Sequence, residues 1–172
     1  MELSSLAGLP QVVAPSGYRI RTYRESDAGE WCRLIGTWIG GEYDANDFRQ
    51  SVGGSSGFDP EGLFFAENDE GIVGTACAIW SDEFADDTGY VHMVAVDADH
   101  RGRGLGRVLT LAVLHRLRDR GYTRAVLQTD DVRLPAIRVY LSLDFRPRLT
   151  HESHEARWLE VRRNLGATEG SS

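Results

Sequence analysis

The chain contains no lysine; all 19 of its basic residues are arginine. That absence excludes a lysine Schiff base, a P-loop that needs its lysine, and regulation by lysine self-acetylation. Cysteine is nearly as scarce. Cys32 and Cys77 are too few for a disulfide framework and belong to no metal-spaced pair, so both read as buried free thiols. No apolar run approaches the roughly 18 residues of a membrane span. Met1 to Gly17 has no basic stretch followed by a long apolar one, so no signal peptide is expected. These absences predict a cytoplasmic product with no membrane partner. His100, His115, His151 and His154 lack ligand spacing with cysteines or carboxylates, and no metal is expected.

What is present is an ordinary globular balance, 41% hydrophobic and 26% charged over 172 residues, enough for one sizeable core. The net charge of −7 argues against nucleic acid as a partner, because phosphate contacts need clustered cations. It leans towards a cationic substrate. Residues 1–16 and 166–172 read as loose tails around a single domain over 17–165.

Along the chain, Tyr18 to Arg24 alternates like a strand, and Ser26 or Asp27 can cap a helix whose stripe is Trp31, Leu34, Ile35 and Trp38. A short helix over Asp44 to Val52 and a flexible Gly53–Gly57 loop follow. Leu63–Ala66 and Ile72–Trp80 flank Asn68-Asp-Glu-Gly71, a hairpin turn. After the acidic connection Ser81–Thr88 comes a strand, Tyr90–Val96. Gly104–Arg120 is the clearest helix, with Leu105, Val108, Leu109, Ala112, Val113 and Leu117 on one stripe and Gly121 at its end. Strand Ala125–Thr129, helix Leu134–Leu143, strand Phe145–Leu149 and a last strand over Glu155–Val161 complete the reading. The alternation predicts an α/β sheet that starts with an antiparallel hairpin.

The strongest local signal is Val94-Ala-Val-Asp-Ala-Asp-His-Arg-Gly-Arg-Gly-Leu-Gly106. A buried strand runs into a glycine-rich turn that opens a long helix. Glycines let the backbone approach a ligand closely, and the free N–H groups of the first helical turn form an anion site with the helix dipole. Arg101, Arg103 and Arg107 add cations, so a pyrophosphate is the natural guest. The Gly-x-Gly-x-Gly spacing differs from the dinucleotide fingerprint.

The segment Arg-x-x-Gly-x-Gly after an apolar strand resembles the acetyl-CoA signature of the GNAT superfamily of N-acetyltransferases, with Arg101, Gly104 and Gly106 on its defining positions. The resemblance implies that the backbone of Gly102, Arg103, Gly104, Leu105, Gly106 and Arg107 holds the CoA pyrophosphate. It implies equally that Val94, Ala95 and Val96 pair with the pantetheine arm, and that an N–H near Ala95 or Val96 polarises the thioester. Downstream, Arg133 to Phe145 is similar to the family's Asn-x-x-Ala-x-x-x-Tyr-x-x-x-Gly-Phe pattern at Ala136, Tyr140 and Phe145. It departs at Arg133, which can meet a CoA phosphate instead, and at Asp144, which tolerates the left-handed turn of a glycine. The implied fold is a GNAT-like mixed central sheet of about seven strands flanked by about four helices.

Acyl transfer to an amine needs a base, an acid and two substrates held together. The resemblance makes Tyr140 the acid that protonates the departing thiolate, although the same residue fits an apolar stripe with Ala136, Ile137 and Leu141. His92, on a strand face with Tyr90, Val94 and Val96, is the candidate base, because imidazole titrates near neutral pH. Water or Glu83 are the alternatives, and a cleft-wall role is open for His92. Trp31, Trp38 and Tyr43 fall where the family builds its acceptor site, and equally fit core packing. The reading is an N-acetyltransferase moving acetyl from acetyl-CoA to a primary amine, a small cationic molecule or peptide, by direct attack, as a monomer or homodimer. The alternatives are a non-catalytic acyl-CoA-binding module on the same fold or a different nucleotide binder using the same loop.

Overall fold

The computed structural model describes residues 1–53, 59–80 and 85–167. In chain order the strands and α-helices are β1 (Glu2–Leu3), β2 (Arg19–Thr22), α1 (Ala28–Ile39), α2 (Ala45–Phe48), β3 (Leu63–Asn68), β4 (Gly71–Ile79), β5 (Thr88–Val96), α3 (Leu105–Asp119), β6 (Arg124–Val126), α4 (Leu134–Ser142) and α5 (His154–Ala167). The strands form one mixed sheet in the order β1-β6-β5-β4-β3-β2. All neighbours are antiparallel except β5 and β6, which are joined by the crossover through α3.

Local chemistry explains the elements. Asn68 Oδ1 accepts from the N–H groups of Glu70 (3.0 Å) and Gly71 (3.2 Å), closing the β3–β4 turn as an Asx motif. The Asp44 carboxylate accepts from the N–H of Asn46 (2.6 Å) and caps α2, which continues as a π-turn over Arg49–Gly53. At the start of α1, Arg21 grips Asp27 (2.6 Å) and Glu67 (2.7 Å), while Arg19 pairs with Glu67 (2.6 Å). This network ties β2, β3 and the entry to α1 together. Removing Arg21 would leave the shielded Asp27 carboxylate without its cation while Glu67 keeps Arg19, a change of the type that costs about 3–5 kcal/mol.

The sheet separates two cores. On one face α3 buries Leu105, Leu109, Leu111, Val113, Leu114 and Leu117 against Val73, Ala76 and Val91, with Tyr140, Leu143 and Phe145 joining from α4 and its exit. On the other face α1 and α2 pack Trp31, Leu34, Ile35 and Phe48 against Leu63, Phe65, Cys77 and Ala95.

Four expectations are corrected. Residues 155–161 are not a strand but part of α5, which packs on α4; Glu, Ala, Arg and Leu are good helix formers. Phe145–Leu149 makes only an isolated bridge, Arg146 with Glu2, because Pro147 has no N–H to continue a ladder. The opening residues are not free. β1 pairs with β6, and Leu3 and Leu6 are buried. Among the described residues the sheet therefore has six strands, with five α-helices around it. Asp144 takes φ +66°, the left-handed turn expected of it, and lets Phe145 donate its N–H to the Tyr140 carbonyl at 3.0 Å. Residues 54–58 of the expected glycine loop, 81–84 of the acidic connection and 168–172 of the expected tail lie outside the described residues.

Gly89 holds α3 close to the parallel pair. A Cβ there would lie 2.8 Å from Leu117 Cδ1 and closer still to Cδ2, in a side chain that is fully buried. Gly89→Ala is expected to lower unfolding stability by about 1–3 kcal/mol in denaturant titration. An unchanged midpoint would show that α3 can shift away at no cost.

Candidate active site

β5 and β6 pair only over Thr88–Tyr90 and Arg124–Val126. Past that point they no longer pair, and both chains line one cleft of about 1210 Å³: Tyr90 to Val94 and Val96 on one side, Val126 to Asp131 on the other. The register of β5 against β4 explains the departure. Thr75 faces Ala95, but Cys77 faces His92, so two residues of β5 oppose one of β4. The extra residue is a β-bulge, and Met93 within it has φ +49°. Bulges bend a strand and raise its twist, which turns the second half of β5 away from β6.

At one end of the cleft lies the turn before α3. Gly102 and Gly104 have φ of +74° and +82°. A Cβ built on either of them, or on Gly106, would meet nothing within 4 Å, so the space above the turn is open. The first α-helical bond runs from the N–H of Val108 to the Gly104 carbonyl. The amides of Leu105, Gly106 and Arg107 therefore have no intrahelical acceptor and add to the positive end of the α3 dipole. Arg101 donates from Nε to the Val96 carbonyl (3.1 Å), fastening the turn to the end of β5. Open amides, glycines and the cations Arg101 and Arg107 fit a pyrophosphate, and the cleft volume fits a ligand of CoA size with room beside it.

Further along the cleft are His92, Tyr140 and Arg133. Burial holds the His92 pKa below the usual imidazole value, so the ring is neutral at pH 7. Its ring lies 5.6 Å from that of Tyr90. Burial pushes the Tyr140 hydroxyl up to about 12, with the charge of Arg133 pulling the other way. Arg133 is the N-cap residue of α4, seven residues before Tyr140. Its guanidinium carbon is 3.8 Å from the centroid of the Trp38 ring, and Nε pairs with Asp130 at 2.8 Å. Trp38 belongs to the α1 side of the sheet and Arg133 to the α4 side, so the pair spans the opening between β5 and β6. The NH1 group of Arg133 is buried and has no hydrogen-bond partner among the described residues.

The model of the Acetyltransferase (GNAT) family matches residues 26–145, well over half of the chain. The chain belongs to the GNAT family of acetyltransferases. Mycothiol acetyltransferase of Thermomonospora curvata is 40% identical over 143 residues, covering 80% of this chain and 47% of that protein. The protein of the same name from Nocardia farcinica is 34% identical over 154 residues, covering 81% of this chain and 48% of its own length. This GNAT chain thus spans about half the length of the curated relatives it matches. Among solved structures, a GCN5-related N-acetyltransferase from Sphaerobacter thermophilus superposes with a TM-score of 0.70 at 23% identity, covering 86% of this chain and 47% of that one. An aminoglycoside N-acetyltransferase in complex with CoA superposes at 0.63 with 19% identity, covering 81% and 97%. These two likenesses show the fold.

Within this GNAT chain the structure brings Tyr140, His92, Val94, Val96, Arg101, Gly102, Gly104, Leu105, Gly106, Arg107 and Arg133 to one cleft. Two expected residues do not line it. The Ala95 side chain is buried in the α1 core, and Arg103 turns back to donate to the Asp99 carbonyl at 3.3 Å. Trp31 is core, stacked edge-on against Phe48, whereas Trp38 is in the cleft wall. Neither thiol is a nucleophile: burial raises both Cys32 and Cys77, and neither lines the cleft. Glu83 lies outside the described residues. Sequence reasoning missed the contribution of α5, whose His154, Arg157, Trp158 and Val161 face the cleft. It also missed His100, which looked inert because only metal spacing was sought. Among the described residues no group of three or more His, Cys, Asp or Glu side chains is placed to hold a metal, and no helix is long and apolar enough to cross a membrane.

His92 should titrate below about 6.5 in an NMR pH series on its ring protons. The unfolded chain then binds that proton more readily, so His92 costs stability as pH falls through 6.5 and below. His92→Gln should flatten part of that loss between pH 7 and 5. A titration midpoint above 6.5 would mean that burial does not govern this ring.

Proposed function

We propose that the chain is an acetyl-CoA-dependent N-acetyltransferase acting on a primary amine by direct transfer. The observation that carries this reading is the convergence of an open phosphate-binding turn, a neutral imidazole and a protonated phenol on one cleft. Acetyl-CoA supplies the acyl group as a thioester; the chain's residues supply position and proton traffic. The turn from Gly102 to Arg107 holds the phosphates and the free edge of β5 steers the pantetheine arm. His92 takes the proton from the attacking nitrogen as the new C–N bond forms. Tyr140 gives its phenolic proton to the sulfur as the C–S bond breaks. A buried imidazole is uncharged at working pH and ready to accept. A hydroxyl raised to about 12 stays protonated at working pH, so its O–H is available to the sulfur as negative charge builds there.

The acceptor is the finer question. Net charge alone favoured a cation. Yet among the described cleft residues the carboxylates are Asp130 and Asp131, and both are engaged, by Arg133 and by Arg157 at 2.7 Å. The wall instead offers a donor, the NH1 of Arg133. This favours an amine that carries oxygen acceptors over a polycation. The shared name of the relatives points the same way, to mycothiol or a compound that becomes it. A cytoplasmic setting fits this use of acetyl-CoA.

Calorimetric titration with acetyl-CoA, with ATP as control, should give micromolar binding selective for CoA species. Gly106→Asp should abolish it while leaving the fold intact, since a Cβ at 106 meets nothing and the residue has no left-handed φ. Retained affinity would show that the turn is not the phosphate site. Tyr140→Phe should lower turnover on an amine acceptor by tenfold or more while CoA affinity stays within about twofold. Binding without turnover across amines, peptides and mycothiol precursors would leave an acyl-CoA-binding module.

A further inference from the structure

His100 sits immediately before the phosphate-binding turn and lines the same cleft as Arg101, Gly102 and Gly104. It is held from far away in the sequence. The Tyr18 hydroxyl lies 2.8 Å from His100 Nδ1, and the two rings meet edge to face at 5.8 Å and 87°. Tyr18 stands just before β2, the strand at the opposite edge of the sheet from β1, and its own N–H is bonded to the Pro15 carbonyl at 3.0 Å. The anchor is therefore itself fixed, and both residues are half-buried.

A phenolic hydroxyl can donate as well as accept. When it donates to Nδ1, the proton of a neutral imidazole must reside on Nε2, on the far side of the ring. Nε2 has no hydrogen-bond partner recorded among the described residues and is not sealed from solvent. A ring clamped at one nitrogen and bare at the other, beside open amides and Arg101, presents an N–H donor to an anion. The neighbouring carboxylates do not compete for it. Asp97 pairs with Arg33 at 3.1 Å, and among the described residues no hydrogen bond links the Asp99 carboxylate to the ring.

We propose that His100 belongs to the cosubstrate site: Tyr18 orients the ring so that Nε2–H donates to a phosphate oxygen of CoA. The proposal rests on the acetyl-CoA reading above. It assigns to Tyr18, which lies outside the glycine-rich turn, the task of positioning a ligand-binding residue. A phosphate oxygen of the pyrophosphate and one of the ribose 3′-phosphate present the same chemistry, and two ligands separate them.

The test is calorimetric titration of the intact protein and its variants with CoA and with dephospho-CoA, alongside thermal unfolding. His100→Ala should weaken CoA binding roughly tenfold, the loss expected for one hydrogen bond to a charged group. His100→Gln, whose amide nitrogen reaches nearly as far as Nε2, should recover most of it. His100→Asn, too short to do so, should not. Tyr18→Phe should cost less than His100→Ala, because the ring remains but is no longer held. If the His100→Ala loss disappears with dephospho-CoA, the 3′-phosphate is the acceptor; if it persists, the pyrophosphate is. Wild-type affinity for both ligands in His100→Ala would overturn the proposal. So would equal losses in the Ala, Gln and Asn variants tracking a lowered melting temperature, since the tie to Tyr18 would then be structural only. Failure of the wild-type protein to bind CoA at all would instead remove the cosubstrate reading itself.

Discussion

The site exists because two parallel strands stop pairing. β5 and β6 share three register positions, Thr88 to Tyr90 against Arg124 to Val126, and then separate around the bulge at Met93. An unpaired strand edge inside a protein is costly unless something meets its N–H and C=O groups. The second half of β5 therefore turns a row of backbone groups to the cleft, bordered by the α3 turn at one end and by α4 and α5 on one wall. His92, Val94 and Val96 face the cleft because they lie on this freed stretch, and Tyr140 because α4 packs beside it.

Electrostatics in the chain is arginine chemistry throughout. The guanidinium groups of Arg21, Arg33, Arg116 and Arg157 are spent in ion pairs that fasten elements together. Arg21 is the most consequential, since its partners Asp27 and Glu67 are well shielded and belong to different elements. The exposed pairs, such as Arg163 with Glu160, add little, because water and salt screen them. Arg133 stands apart. It stacks on Trp38, pairs with Asp130 and keeps one buried N–H unmet, a combination that lysine could not reproduce with its single point charge. Its place at the opening between β5 and β6 makes it the residue through which departure from the usual asparagine is felt.

Much of this was legible in the linear sequence. The glycine spacing from Gly102 to Gly106, the long stripe of α3 and the Asn68–Gly71 turn are local signals, and local signals survive without tertiary context. The Ala136, Tyr140 and Phe145 spacing was legible too, and so was the left-handed turn at Asp144. Less legible was anything set by long-range packing. Glu155 to Val161 carried no strong period, so its helix had to be decided by α4 and the cleft beside it. Leu3 and Leu6 looked like a tail because a two-residue strand leaves no pattern; only an open edge at β6 recruits it. His100 seemed idle until Tyr18 appeared 82 positions away in sequence.

By itself the sequence determined the α/β alternation, the glycine-rich turn before α3, the family, and His92 and Tyr140 as candidates, because each rests on residues near one another in the chain or on side-chain chemistry that burial only adjusts. The tertiary structure alone decided where β5 and β6 part, which expected residues turn away from the cleft, and how α5 borders it. It also decided that Trp38 and Arg133 meet across the opening and that the cleft carboxylates are already paired. Those features depend on the relative placement of whole elements, which is fixed by packing on both faces of the sheet and is written at no single position.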